Sequence, residues 1–190
     1  MSYPLLTPRL SIEPLAAQDL LAFVTYRQDP EVARYQSWDT SYSEQQAQEL
    51  IESQTNVLLP EAGDWLQLAI HDRVRGQLLG DIALNTLENS EFTFELGFTL
   101  SKMNQGKGFG IEAVGCLIGY LFDEIGAKRL IVTCDQRNSP AIKLASSLGF
   151  VHKPESSWTE NFKNEIVHVD YFEMTAAREK SSSPQKALPH

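Results

Sequence analysis

Gln105-Gly106-Lys107-Gly108-Phe109-Gly110 is the stretch on which the reading of this chain turns. It stands between a run with the two-residue period of a strand and a run with the period of a helix. The first amides of a helix have no partner within it, and the helix dipole adds positive potential there. A glycine-rich turn at that point is therefore a natural seat for phosphate oxygens. Two familiar phosphate motifs fail on spacing. A Walker turn needs Ser or Thr directly after its lysine, and Gly108 follows Lys107. A dinucleotide turn beginning Gly106, Gly108 needs a third glycine at 111, where Ile111 stands. Taken alone, the stretch is also compatible with a glycine-rich turn that binds nothing.

Upstream, Phe92 to Leu100 alternates, with Phe92, Phe94, Leu96, Phe98 and Leu100 expected on one face and Glu95 on the other. Before it, Leu66, Leu68 and Ile70 alternate, and a turn over Arg73 to Gly76 leads into Leu78 to Leu84, which predicts an antiparallel meander. Downstream, Ile111, Val114, Ile118, Leu121, Phe122 and Ile125 recur at helical spacing as far as Gly126. Leu130 to Cys134 then reads as a strand buried on both faces. A helix from about Ser139 to Leu148 follows, with Pro140 in its first turn and Gly149 at its C-cap. Strand-like stretches at 151–158 and 166–174 come last. At the other end, Arg9 to Pro14 predicts a strand, and Leu20, Leu21, Phe23 and Val24 a helix. Ser43 and Gln46 form a capping box for a further helix whose stripe is Ala47, Leu50 and Ile51. A polar-aromatic connection, Ala33 to Asp39, joins the two helices.

With 190 residues and 42% hydrophobic side chains, the chain reads as one domain over residues 1–175. Residues 176–190 are rich in Ser, Lys and Pro and are expected to be disordered. The first ten residues lack the pattern of a signal peptide, and no apolar run approaches the roughly 20 residues of a membrane helix. The expected location is cytoplasmic, with no membrane partner. A net charge of -9 disfavours nucleic acid and favours cationic partners, although an acidic surface also serves solubility alone. The two cysteines, Cys116 and Cys134, form no CxxC pair and read as buried small hydrophobes. No zinc spacing is present, so no metal is expected.

Gln105, Gly108 and Gly110 fill the glutamine and glycine positions of the acetyl-CoA signature of the GNAT family of N-acetyltransferases, which this chain resembles. Farther on, Asn138-Ser-Pro-Ala141-Ile-Lys-Leu144, ending in Leu148-Gly149-Phe150, is similar to that family's second cofactor element. The resemblance covers residues 7–174. Thr7-Pro8-Arg9-Leu10, Leu96-Gly97-Phe98 and Glu112-Ala113 are similar to the branch of ribosomal-protein alanine acetyltransferases. It implies an α+β fold, mixed α/β, with a mostly antiparallel sheet of about six to seven strands and about four helices. Two strands of that sheet splay to admit pantetheine. By the same likeness, acetyl-CoA is the cosubstrate, the turn Gln105, Gly106, Lys107, Gly108, Phe109 and Gly110 holds its pyrophosphate, Phe98 to Leu100 line pantetheine, and Asn138 hydrogen-bonds it. Lys107 or Lys143 could meet the ribose phosphate, or could be ordinary surface lysines.

Acetyl transfer to an amine needs a proton acceptor, an oxyanion donor and a proton for the leaving thiolate. Glu95 is the candidate base, or alternatively a solvent-facing or substrate-binding carboxylate. A Tyr seven residues after the cofactor Asn, common in the family, is replaced here by Ala145. Ser146, or its neighbour Ser147, is the nearest hydroxyl to stand in as acid, and water or the substrate ammonium would serve equally. Cys134 reads as a packed core residue or as a neighbour of the cofactor thiol. His71 and His152 show no partner pattern and read as surface or edge-strand residues. Tyr35, Trp38 and Asp39 are the candidate acceptor-binding residues. The acceptor is a protein or peptide N-terminus or a cationic small molecule, and a homodimer is compatible with the sequence. The competing readings are a catalytically silent acyl-CoA sensor and a nucleotide-binding protein of another fold.

Overall fold

The computed structural model describes residues 3–176 apart from positions 89 and 91. The polar stretch beyond Ala176 lies outside the described residues. Within them nine strands form one sheet: β1 (Leu5–Leu6), β2 (Leu10–Pro14), β3 (Trp65–Asp72), β4 (Leu78–Thr86), β5 (Thr93–Leu100), β6 (Arg129–Asp135), β7 (Val151–His152), β8 (Trp158–Phe162) and β9 (Glu165–Thr175). The order is β1-β2-β3-β4-β5-β6-β9-β7, with β8 also on β9. Every pairing is antiparallel except that of β5 with β6. The helices are α1 (Leu20–Arg27), α2 (Pro30–Ala33), α3 (Glu44–Ser53), α4 (Phe109–Asp123) and α5 (Ser139–Leu148). This is the α+β arrangement expected from the sequence, with more strands than the alternation reveals.

The surplus has local causes. β1 and β7 are two residues each, too short to show a period. The run 151–158 is broken at Pro154, which has no N–H for a ladder and opens a 3-10 turn over Pro154–Ser156. β8 and β9 form a hairpin whose turn residues, Lys163 and Asn164, both have positive φ, the geometry that matches strand twist. Phe92 also departs from expectation. Its φ is 46° and it is 49% exposed, so the inward face of β5 begins at Phe94.

Two layers of helix cover the sheet. On one face α4 buries Ala113, Val114, Leu117 and Leu121 against Leu68, Ile82, Leu96, Leu130 and Phe172. Each such leucine contributes about 1.5–3 kcal/mol by leaving water. On the other face α1, α2 and α3 pack Phe23, Tyr26, Val32, Ala47 and Ile51 around Ala69 and Leu78. The capping box of α3 forms as expected, with the Gln46 amide donating to Ser43 Oγ at 3.2 Å and Ser43 N donating to Gln46 Oε1 at 2.8 Å. α4 carries the crossover that a parallel pair requires.

That parallel pair is short. Thr93, Phe94 and Glu95 pair with Arg129, Leu130 and Ile131, and the two strands then part. Leu96 to Leu100 keep their partners on β4, from Leu84 to Gly80, while β6 continues on β9. One edge of β5 is left without a strand beside it.

Candidate active site

The glycine turn closes the opening left by the two strands. Gly106 and Gly108 have φ of 72° and 79°, a region in which a side chain is strained, and Gly108 caps α4. A Cβ on Gly106 would meet no atom within 4 Å, so the backbone there is bare. Gln105 reaches back, its Nε2 donating to the Leu100 carbonyl at 3.0 Å. The first amides of α4 have no helical acceptor, so the turn offers donors and a positive dipole end together.

A cavity of about 490 Å³ extends from this turn through the gap between the strands. Phe98, Thr99 and Leu100 of β5 form one wall, and Pro140, Lys143, Leu144 and Ser147 of α5 another. The last four are spaced i, i+3, i+4 and i+7, one face of a helix. Asn138, just ahead of α5, also lines the cavity. Its Oδ1 accepts from the Ala141 amide at 3.3 Å as the N-cap of α5, which leaves its side-chain NH₂ to donate elsewhere. Bare left-handed glycine backbone, a helix N-terminus and an unpaired strand edge in one channel fit a long ligand with phosphates at one end and amides along its length. The expected cofactor residues Phe98, Leu100, Gln105, Gly106, Gly108, Gly110 and Asn138 all line it. Lys107 and Phe109 do not. The Lys107 carbonyl accepts from Arg9 Nη1 at 3.0 Å, and the Arg9 guanidinium lies 4.6 Å from the Phe109 ring centroid.

Glu95 occupies the last paired position of β5, where the strands part. Thr133 Oγ1 on β6 donates to its Oε1 at 2.8 Å. Burial raises its pKa above the ordinary carboxylate value, only partly opposed by the Thr133 hydrogen bond. Tyr171 is opposite Thr133 on β9, and burial raises its pKa too. A half-buried carboxylate of raised basicity thus stands at the inner end of the opening, although it does not line the cavity wall.

The acceptor side differs more from expectation. Tyr35 lines the cavity, its hydroxyl 3.4 Å from the Arg137 carbonyl. Trp38 does not; its ring covers the buried Arg27 guanidinium at 3.6 Å, and its Nε1 donates to the Arg27 carbonyl at 3.2 Å. Asp39 also lies off the cavity, accepting from the amide and hydroxyl of Ser41. The lining side chains that the sequence did not single out here are Glu31, Val32 and Gln36. Glu31 pairs with Lys102 across the mouth. Glu31 and Val32 stand on α2, a four-residue helix without a period, and Gln36 in the turn after it, so no periodicity signals them.

Among the candidate acids, Ser146 is exposed and off the cavity, whereas Ser147 lines it. Helical spacing explains the exchange, since 146 lies about 100° around the axis from 147. Ala145 is fully buried in the core. Cys134 is half-buried, and burial pushes its thiol up to about 12. His71 is not a surface residue. It is 4% exposed, with Nε2 2.8 Å from Asp19 Oδ1 and Nδ1 3.2 Å from Glu13 Oε1. His152 is partly exposed beside Asp170, at 3.3 Å. Among the described residues no group of three His, Cys, Asp or Glu could hold a metal ion, and no helix is long and apolar enough to cross a membrane.

A strand-to-helix glycine turn beside a parted parallel pair defines the class. The family model for the acetyltransferase (GNAT) domain matches residues 9–151, and the chain belongs to that family of acyl-CoA-dependent N-acetyltransferases. Among curated proteins it is similar to the uncharacterized N-acetyltransferase p20 of Bacillus licheniformis, 26% identical over 170 residues, which is 90% of this chain and 94% of p20. Among solved structures, a GNAT acetyltransferase from Bacillus anthracis superposes with a TM-score of 0.79 at 20% identity, covering 90% of this chain and 97% of that one. RimL, the ribosomal L7/L12 alpha-N-protein acetyltransferase in complex with coenzyme A, superposes at 0.77 with 14% identity, covering 92% and 98%. Spermidine N-acetyltransferase from Vibrio cholerae, in complex with CoA and spermine, superposes at 0.75 with 17% identity, covering 89% and 96%.

Proposed function

We propose that the chain transfers an acetyl group from acetyl-CoA to a primary amine, by direct attack within a ternary complex. The parting of β5 from β6 beside the glycine turn carries this reading. In it, the pyrophosphate rests on the amides of Gln105 to Gly110, and pantetheine runs along Phe98 to Leu100 where a strand would otherwise pair. The free NH₂ of Asn138 donates to the pantetheine arm. Alternate β5 amides point into the gap, and one of them donates to the carbonyl oxygen as it gains charge.

The amine enters between α2 and β5, past Glu31 and Tyr35, and must lose a proton to attack. Glu95 takes that proton, directly or through water, because burial makes its carboxylate more basic than usual. Water or the departing ammonium proton serves the thiolate, since Ala145 carries no hydroxyl. The acceptor is a protein or peptide N-terminus or a cationic small molecule. Solved neighbours of similar fold are described as acting on a ribosomal protein and on spermidine.

The test is thiol release from acetyl-CoA across peptide N-termini, polyamines, aminoglycosides and amino acids. Turnover is expected with one of these amine classes. Tight acetyl-CoA binding with no amine-dependent release would make the chain an acyl-CoA sensor instead.

A further inference from the structure

Glu112 lies in the first turn of α4, one helical turn beyond Gly108. A carboxylate there suits the helix dipole but repels any anion seated at the same N-terminus. Its charge is met from outside the helix. Arg9, just before β2, donates from Nε to Glu112 Oε2 at 2.6 Å, with Nη2 also 2.6 Å from that oxygen. The Arg9 amide donates to Oε1 at 3.0 Å, and Thr7 Oγ1 donates to Oε1 at 2.6 Å. The remaining arm of the guanidinium, Nη1, donates to the Lys107 carbonyl at 3.0 Å. A Cβ on Gly108 would come within 3.3 Å of Nη2. One cation therefore touches the glycine turn, the carboxylate behind it and the Phe109 ring.

We propose that Arg9 is a positioning residue for the coenzyme: it cancels Glu112 and turns the Lys107 carbonyl outward, so that the turn presents donors to the pyrophosphate. This rests on the reading of the turn as the pyrophosphate seat. The signature of the turn gives no hint of it, since Arg9 is 98 residues from Lys107 in sequence. A structural staple and a charge-cancelling residue make opposite predictions for the two halves of the pair. Losing either half breaks a staple equally. Losing Arg9 exposes the turn to an uncompensated carboxylate, whereas losing Glu112 leaves a spare cation beside the phosphates.

The experiment is calorimetric titration of acetyl-CoA into wild type, Arg9→Gln, Glu112→Gln, the double variant and Gly108→Val, each checked for a native melting transition. Arg9→Gln is expected to weaken Kd by about 10- to 100-fold, from a like charge about one helical turn away. Glu112→Gln is expected to bind as well as wild type or more tightly, and the double variant to recover most of the loss. The acceptor KM of Arg9→Gln at saturating acetyl-CoA should stay at the wild-type value. Equal weakening by Arg9→Gln and Glu112→Gln would overturn the proposal. So would wild-type affinity in Arg9→Gln alongside lost affinity in Gly108→Val, with the seat itself upheld. Wild-type affinity in both Arg9→Gln and Gly108→Val would overturn the reading of the turn as well. Should Arg9→Gln fail to fold, Glu112→Gln alone still decides, because a drop in its affinity contradicts the charge argument.

Discussion

Replacing Glu95 with Gln separates chemistry from architecture at one atom. Gln has the same shape, and its Oε1 can still accept the 2.8 Å hydrogen bond from Thr133, so β5 and β6 should remain joined at the point where they part. The proton acceptor disappears. If Glu95 is the base, kcat should fall by about 10²- to 10⁴-fold, the range for general acid-base help, with acetyl-CoA affinity unchanged. Raising the pH should recover part of the loss, because more of the amine is then already neutral. Stability should move the other way. Burial raises the folded pKa of Glu95, so the folded state binds the proton more tightly than the unfolded chain does. The resulting stabilisation is present below the ordinary carboxylate range and is lost as pH rises through the raised value. At neutral pH the wild type therefore carries a buried charge that the amide does not, and Glu95→Gln should melt higher than wild type there and lose that advantage in acid. The assay is a pH series of kcat, KM and melting temperature for both proteins, with the best amine from the screen. A raised KM with normal kcat would assign Glu95 to acceptor binding. Normal values of both would remove it from the mechanism and refute the argument from burial.

Three further outcomes follow from packing and charge. A Cβ on Gly80 would lie 2.1 Å from the Thr99 carbonyl oxygen and 2.8 Å from Leu100 Cα, so Gly80→Ala must displace the cavity-lining part of β5. It should cost about 1–3 kcal/mol and weaken acetyl-CoA binding; an unshifted melting temperature would show that β4 and β5 separate freely. Lys163 Nζ donates to the carbonyls of Ala33 and Trp38 at 2.8 and 2.6 Å, fastening the β8–β9 hairpin to the connection that carries Tyr35. Lys163→Met should raise acceptor KM about tenfold, near the 1.4 kcal/mol of a charged hydrogen bond, and leave acetyl-CoA Kd alone, a split that steady-state kinetics and calorimetry would show or deny. The Asp19 hydrogen bond raises the pKa of His71 above its ordinary 6.5 against the opposing effect of burial. Its stabilisation is thus complete below 6.5 and fades as pH rises through the raised value; a melting-temperature gap between wild type and His71→Gln that is constant from pH 6 to 9 would contradict this.

The geometry of the glycine turn and the start of α5 were legible because backbone chemistry makes demands that few residues meet. Glycine takes the φ of Gly106 and Gly108 more readily than other residues, and Asn138 followed by Pro140 announces a helix start. The same locality made α3, α4 and α5 readable to within a residue or two at their starts. On that correctly placed α5, Ser146 turns away from the cavity and its neighbour Ser147 lines it. The failures lie where a residue's role depends on a distant partner. Trp38 reads as a binding aromatic until Arg27, eleven residues back, is found beneath it. His71 reads as an edge residue until Asp19 and Glu13 enclose it. Arg9 and Glu112 lie in two segments that the family resemblance marks, but nothing in sequence joins them, and they meet only because β2 lies alongside the start of α4.

The two sides of the cavity therefore stand on different physical foundations. The side proposed for the coenzyme offers main-chain amides on a strand edge and a helix end, which regular structure places regardless of most side chains. α2 on the acceptor side is four residues long, far below the length at which a helix is stable alone. Besides the buried Val32 and Ala33, it and the connection after it are tied by partners from three other segments: Lys102 on Glu31, the Arg137 carbonyl on the Tyr35 hydroxyl, and Lys163 on the carbonyls of Ala33 and Trp38. Each is a surface-accessible polar contact worth about 1–1.5 kcal/mol, small beside the buried core, so altering any one reshapes this entrance at little cost to the fold. On the proposed reading of the cavity, acceptor choice can change while the coenzyme seat stays fixed. If the proposed amine entrance is correct, a graft of residues 30–40 without Lys102, Arg137 and Lys163 should fail to carry amine preference with it, as kcat/KM across the amine panel would show.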